Sequence, residues 1–149
     1  MQLDDLYRQV IMDHYTHPRN QGRLDEADLT IDLKNPTCGD EITLQLVVRD
    51  GVVDDVRFSG TGCSISMASA SMMTEAVKGQ PVAKAIELSR EFRKMMRGAE
   101  ADYDGLGELE ALSGVAKFPA RIKCATLAWN ALERVQTDKG GKVDESAGS

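Results

Sequence analysis

The Asp50-Gly51 pair, set between two stretches of alternating apolar and polar residues, restricts the fold more than any other feature of this chain. Alternation with a period of two is typical of a strand with one buried face. An Asp-Gly pair suits a two-residue hairpin turn, in which both residues adopt left-handed backbone angles. A third alternating stretch lies upstream, so the sequence predicts a three-stranded antiparallel sheet. The apolar positions are Leu29, Ile31 and Leu33, then Ile42, Leu44, Leu46 and Val48, and then Val52, Val56 and Phe58.

Helical spacing of apolar residues accounts for most of the remaining chain. It predicts an amphipathic helix over residues 2–15, one beginning near Cys63, one from Val82 to about Arg97, and a last helix with Pro119 at its first position. Residues 99–117 hold three glycines and several acids, which indicates a loop with a short helix near 107–112. The predicted fold class is therefore α+β, with the three-stranded antiparallel sheet packed against helices.

Size and charge limit the domain organisation and the partners. A chain of 149 residues, 42% of them hydrophobic, fits one domain that buries about two-thirds of its unfolded surface. We assign residues 1–136 to this domain and predict that the small, polar residues 137–149 form a disordered tail. The formal charge of −6 opposes the phosphate backbone, so nucleic acid is not an expected partner.

The cysteines and the first residues point to a reducing compartment. Asp4 and Asp5 stand where a secretory signal carries positive charge, and the chain has no apolar run long enough to cross a bilayer. We expect a cytoplasmic protein that does not insert into a membrane. In that compartment three thiols are metal ligands, reactive groups or buried apolar side chains rather than disulfides.

Four side chains could form one metal site: Cys38, Asp40, Cys63 and Cys124. A tetrahedral zinc site takes four ligands from cysteine, histidine or carboxylate. These residues do not form paired CxxC motifs, so the alternative of structural thiols stays open on spacing alone. Three thiolates and a carboxylate around a divalent ion leave a charge of minus two, which favours nearby cations. Arg121 and Lys123 flank Cys124 and are the candidates, although solvated surface charge is the ordinary explanation for both.

Other functional classes have weaker support. A catalytic Cys-His pair would have to use His14 or His17, which lie at one helix end without an acidic residue placed to orient them. We interpret both histidines as structural residues. A thioredoxin-like exchanger needs two cysteines close in sequence, which the chain lacks. A purely structural adaptor remains possible if the cysteines never meet.

Four fragments together closely resemble the SufU family of the IscU-like superfamily, which includes NifU N-terminal domains and acts in iron-sulfur cluster assembly. The resemblance covers about residues 5 to 135. The fragments are Asp13-His14-Tyr15 with His17-Pro18-Arg19-Asn20, then Asn35-Pro36-Thr37-Cys38-Gly39-Asp40, then residues 58–71 around Gly62-Cys63, and finally residues 121–129 around Cys124.

This resemblance implies an IscU/SufE-like fold in which Cys38, Asp40, Cys63 and Cys124 bind one zinc ion. It further implies a sulfurtransferase that accepts persulfide sulfur from a SufS-type, PLP-dependent cysteine desulfurase and relays it toward a downstream Suf assembly scaffold. By this resemblance, Cys38 of this chain would be the catalytic sulfur acceptor. Arg121 would engage the desulfurase.

An alternative within the same superfamily is a scaffold that assembles and transfers a transient iron-sulfur cluster. Scaffold proteins typified by IscU carry a histidine immediately before the last cysteine, where this chain has Lys123. The chain also has the additional segment 99–117 before its last helix. We therefore favour zinc-dependent sulfur transfer over cluster scaffolding.

Overall fold

The computed structural model describes residues 3–35, 39–136 and 142–146. It is an α+β fold, in agreement with the prediction. The elements are α1 (Leu3–Thr16), β1 (Leu29–Asn35), β2 (Asp40–Arg49), β3 (Val52–Thr61), α2 (Ser64–Val77), α3 (Val82–Met96), α4 (Tyr103–Leu106), a 3₁₀ helix (Gly107–Lys117), α5 (Pro119–Glu133), a 3₁₀ turn (Arg134–Gln136) and β4 (Lys142–Ser146).

The three predicted strands form an antiparallel meander in the order β1, β2, β3. The turn between β2 and β3 has φ of 51° at Asp50 and 77° at Gly51, which are the angles of the predicted hairpin. Asn35 pairs with Asp40, and Thr61 lies opposite Glu41. The start of β2 and the end of β3 therefore meet at one end of the sheet.

A fourth strand extends this sheet where the sequence predicts a disordered tail. β4 pairs in parallel with β1, from Thr30 opposite Lys142 to Lys34 opposite Ser146. Strand pairing joins main-chain groups, so a polar segment can form it without an apolar pattern. The prediction of disorder therefore fails for residues 142–146, while 137–141 and 147–149 lie outside the described residues.

The core lies between one face of the sheet and two helices. Apolar side chains on alternate positions of β1, β2 and β3 are buried, with Ile31, Leu44 and Val56 fully so. Helix α5 packs over β1 and β2, and α2 packs against β3, α1 and α5. Trp129 of α5 stacks on Phe92 of α3 with 4.7 Å between ring centroids, which joins the third helix to this core.

Helix α2 is the central helix because it is buried on nearly all sides. Its sequence has one charged residue, Glu75, among alanines, serines and methionines, and a helix without a polar face is expected in a protein interior. Small side chains allow its neighbours to approach closely. Its buried hydroxyls have partners: Ser69, for example, donates to the Ala125 carbonyl of α5 at 2.6 Å.

Segment 99–117 differs in detail from the prediction. The expected short helix near 107–112 is instead α4 followed by an eleven-residue 3₁₀ helix, which packs on α1, α3 and α5. Among the described residues, no helix has both the length and the apolar character needed to cross a bilayer.

Candidate metal centre

Asp40, Cys63 and Cys124 come together at the end of the sheet, although up to 84 positions separate them in the sequence. Asp40 is the first residue of β2, Cys63 immediately precedes α2, and Cys124 lies in the second turn of α5. One potential ligand atom from each lies within 4.8 Å of the other two. The register between β2 and β3 places Asp40 beside the end of β3. The packing of α5 against α2 brings Cys124 to the same point.

The Asp40 carboxylate is held by two donors from the start of α2. Its Oδ1 accepts the Cys63 backbone N–H at 3.0 Å, and its Oδ2 accepts the Ser66 hydroxyl. The side chain of Cys63 makes no capping hydrogen bond at this helix terminus. Asp40 thus binds the helix start from a neighbouring strand, where the helix dipole favours a negative charge. Asp40 is almost fully buried, and these two hydrogen bonds orient both of its carboxylate oxygens.

Gly62 is the position that lets this carboxylate approach α2. A Cβ atom at Gly62 would lie 2.8 Å from Asp40 Oδ1 and 3.0 Å from its Cγ. These distances are shorter than ordinary contacts, so any side chain here would displace the carboxylate. The glycine before Cys63 therefore serves close packing against the candidate metal ligand.

The donor set fits zinc. Two thiols and a carboxylate are ligand types that zinc accepts, and two such ligands on tetrahedral zinc are separated by about 3.6 Å. The Sγ of Cys63 lies 3.8 Å from Asp40 Oδ2, close to that value. Cys124 is buried and Cys63 is half-buried, so the thiols differ in exposure. The three groups can act as metal ligands without a large rearrangement.

The predicted fourth ligand, Cys38, lies outside the described residues. The neighbouring Gly39 is described, and its N–H donates to the Asn35 carbonyl at 2.8 Å. The ligand and acceptor roles of Cys38 therefore remain predictions.

Arg121 and Lys123 both lie on the exposed start of α5. Arg121 precedes Cys124 by three positions, so the two side chains share one side of the helix. Within the described ranges neither cation forms an ion pair. Their roles in partner binding and in charge compensation remain predictions.

His14 does not belong to this centre. It is buried on α1, its Nδ1 lies 2.8 Å from Ser71 Oγ, and its Nε2 contacts a carboxylate oxygen of Glu108 in the 3₁₀ helix. Both ring nitrogens thus have partners, as expected of a structural histidine. A carboxylate oxygen of Glu75 lies 3.9 Å from the same Nε2, so the three residues form a second group of potential ligand atoms. His17 is largely exposed.

Sequence reasoning missed one residue of the centre, Ser66. Ser66 binds Asp40 and stands one helical turn after Cys63, a spacing that places both side chains on one side of α2. Gly62 is adjacent to Cys63 in the sequence, and the structure shows that Asp40 is the ligand that approaches it. The spacing of three residues after a helix-start cysteine was the one available signal for Ser66.

Comparison with known proteins agrees with the geometry. The model of the NifU-like N terminal domain family matches residues 6–125, which is most of the chain and includes all four predicted ligands. The chain belongs to the NifU-like N-terminal domain family. Within it, the chain is 56% identical over 141 residues to the zinc-dependent sulfurtransferase SufU of Bacillus subtilis, covering 93% of this chain and 95% of the relative.

Other members of the NifU-like family carry a different description. The chain is 48% identical to the iron-sulfur cluster assembly scaffold protein IscU of Streptococcus pyogenes serotype M1, over 88% of this chain and 82% of the relative. A solved structure from Fervidobacterium islandicum AW-1, proposed to be an iron-sulfur cluster assembly scaffold for the SUF system, superimposes with a TM-score of 0.83. It is 34% identical and covers 89% of this chain and 97% of its own. The resemblance to SufU and IscU proteins is thus confirmed.

Proposed function

We propose that this protein is a zinc-dependent sulfurtransferase that accepts persulfide sulfur from a cysteine desulfurase and relays it for iron-sulfur cluster assembly. The convergence of Asp40, Cys63 and Cys124 is the observation that carries the proposal. The relative named a zinc-dependent sulfurtransferase supports it. Reduced thiols are needed for this chemistry, so we place the activity in the cytoplasm.

Zinc would be held by Asp40, Cys63 and Cys124, with Cys38 as the fourth ligand. It would keep the bound thiols as thiolates and limit their reaction with stray electrophiles. Covalent geometry keeps the Cα atoms of Cys38 and Asp40 within about 7.6 Å of each other, which supports a shared site. Because Cys38 lies in the connection between two strands, we assign it the exchangeable position.

Transfer requires that the Cys38 thiolate attack the terminal sulfur of the persulfide on the desulfurase. The new bond joins Cys38 Sγ to that sulfur, the original S–S bond breaks, and the cysteine of the desulfurase leaves as a thiolate. This exchange conserves electrons, so it needs no added oxidant or reductant. Cys38 then carries the persulfide and passes it to a downstream Suf assembly scaffold by the same kind of exchange.

In this proposal the exposed start of α5 binds the desulfurase. The Arg121 side chain lies on the side of α5 that carries Cys124 and forms no ion pair with the described residues, which suits binding to a partner carboxylate. The desulfurase we propose is of the SufS type, with PLP as its own cofactor. Lys123 would offset part of the negative charge of the loaded site.

Metal analysis tests the site. Purified protein should hold about one zinc per chain, and Cys63→Ala should lose most of it because one of two described thiol ligands is removed. Ser69→Ala is the matched control, since Ser69 lies on the same buried helix and binds α5 rather than the ligands. A wild-type protein without zinc, or full zinc retention by Cys63→Ala, would refute the site.

Desulfurase stimulation tests the acceptor. Cys38→Ala should abolish the increase in alanine production that the wild-type protein gives with a SufS-type enzyme, while its circular dichroism stays that of a folded chain. Stimulation at the wild-type level by Cys38→Ala would refute the assignment of Cys38.

Cluster scaffolding is the second candidate, because relatives named IscU are described as scaffolds. Anaerobic reconstitution with iron and sulfide separates the two functions. A cluster that forms stoichiometrically and transfers to an apo-acceptor would favour the scaffold. Zinc retention with no cluster absorbance would favour sulfur transfer.

A further inference from the structure

Ser66 lies at the centre of the candidate metal site, although it is not one of the ligands. Its hydroxyl contacts the Oδ2 of Asp40, lies 3.2 Å from the carbonyl oxygen of Cys124, and lies 3.6 Å from the Sγ of Cys63. The side chain is fully buried. One hydroxyl thus touches all three residues that form the described part of the site.

The chemistry of the neighbours decides where the single hydroxyl proton goes. A carboxylate is a stronger acceptor than a neutral carbonyl or a thiol, because the hydrogen bond to it is charge-assisted. Ser66 therefore donates to Asp40 Oδ2. The Cys63 N–H donates to Oδ1, so two donors from one helix start fix the plane of the carboxylate.

The hydrogen bond from Ser66 does not prevent Oδ2 from binding a metal. A carboxylate oxygen has two lone pairs, so it can accept the Ser66 proton with one and bind a cation with the other. Oδ2 is also the Asp40 oxygen that lies 3.8 Å from Cys63 Sγ. The oxygen that Ser66 orients is thus the one suitably placed to share a metal with the thiol.

We propose that Ser66 is a positioning residue for the metal site, whose hydroxyl orients Asp40 Oδ2 toward the ion bound by Cys63 and Cys124. The proposal rests on the zinc site of the proposed function. Since Ser66 is buried, removing the hydroxyl leaves a carboxylate oxygen that water cannot readily reach. Loss of such an outer partner typically lowers metal affinity by about 10- to 100-fold.

Ser69 provides the matched control. It lies one turn further along α2, is also fully buried, and its hydroxyl binds a backbone carbonyl of α5, that of Ala125. It also accepts the Trp129 Nε1–H at 3.2 Å. Ser69 thus joins the same two helices, and it contacts none of the ligand side chains that the structure describes. A purely structural role of Ser66 predicts equal behaviour of the two alanine variants.

The experiment is a zinc competition titration on metal-free protein against a chromophoric chelator at fixed pH. We expect Ser66→Ala to bind zinc about 10- to 100-fold more weakly than wild type, and Ser69→Ala to bind with wild-type affinity. Cobalt provides a second readout, because the thiolate-to-cobalt absorption should appear at higher total metal in Ser66→Ala. Both readouts measure metal binding rather than sulfur transfer.

A second pair keeps the test decisive if Ser66→Ala does not fold. Ser66→Thr and Ser66→Val have nearly the same shape and differ in the hydroxyl, so the threonine variant should bind zinc more tightly. Equal zinc affinities for threonine and valine, or for wild type and a folded Ser66→Ala, would overturn the positioning role. A wild-type protein that binds no zinc would instead refute the zinc site itself.

Discussion

Replacing Gly62 with alanine tests whether the Asp40 carboxylate must lie against the start of α2. The backbone of Gly62 is outside the left-handed region, so alanine is compatible with its conformation. The added Cβ would lie 2.8 Å from Asp40 Oδ1, whereas ordinary contacts begin at 3.4 Å. The carboxylate would therefore have to move by about 0.6 Å, the difference between these two distances.

We expect this displacement to destabilise the metal-bound state more than the metal-free state. In the metal-free variant we expect the carboxylate to shift and to lose the hydrogen bond that it accepts from the Cys63 N–H. A bound ion requires the carboxylate in place, so the clash persists there. Overpacking of a tight site costs about 1–3 kcal/mol, which corresponds to a roughly 5- to 150-fold loss of zinc affinity.

Zinc competition titration and urea unfolding of the metal-free protein measure the two effects separately. Gly114→Ala is the control, because a Cβ there meets no atom of the described residues within 4 Å and the backbone is also outside the left-handed region. We expect unchanged zinc affinity for Gly114→Ala and weaker binding for Gly62→Ala. Equal affinities in the two variants would show that the approach of Asp40 to Gly62 does not matter for metal binding.

The remaining predictions address the partner surface, the core and acid stability. Arg121→Glu should weaken stimulation of a cysteine desulfurase at least tenfold while leaving zinc content unchanged; parallel loss of zinc would contradict a partner-binding role. Trp129→Ala should lower the free energy of unfolding by about 3–5 kcal/mol, measured by circular dichroism in urea, because the ring is fully buried. The hydrogen bond from Arg19 lowers the pKa of Asp13 below its ordinary value of 3.8. The ionised pair therefore stabilises the fold above pH 3.8. This stabilisation is lost as the pH falls through the lowered pKa. Asp13→Asn should therefore reduce the acid dependence of unfolding, and an unchanged pH profile would exclude this contribution.

The sheet could be predicted because its signals are local. Alternation is set by the geometry of a single strand, and the Asp50-Gly51 turn is set by two backbone conformations, so both are present in short stretches of sequence. Helix α5 was predictable for the same reason, from Pro119 and the spacing of its apolar residues. β4 was not predictable, because its pairing depends on main-chain groups of β1.

The residue types of the candidate metal site could be predicted from the sequence, but their arrangement in space could not. Cysteine and aspartate are recognisable as ligand types, which made Cys38, Asp40, Cys63 and Cys124 one candidate set, and the resemblance to a known family supported that set. Spacing alone favoured structural thiols over a metal site, since Asp40, Cys63 and Cys124 are far apart in sequence. The structure brings the three together.

The sequence by itself determined β1 to β3, their buried face, the hairpin and the helix starts, because these depend on interactions between residues a few positions apart. Only the tertiary structure decided that Ser66 binds Asp40, that Gly62 leaves room for the carboxylate, and that Cys124 reaches the same point. These contacts depend on strand register and on how α5 packs against α2, and both are set by the packing of the whole core.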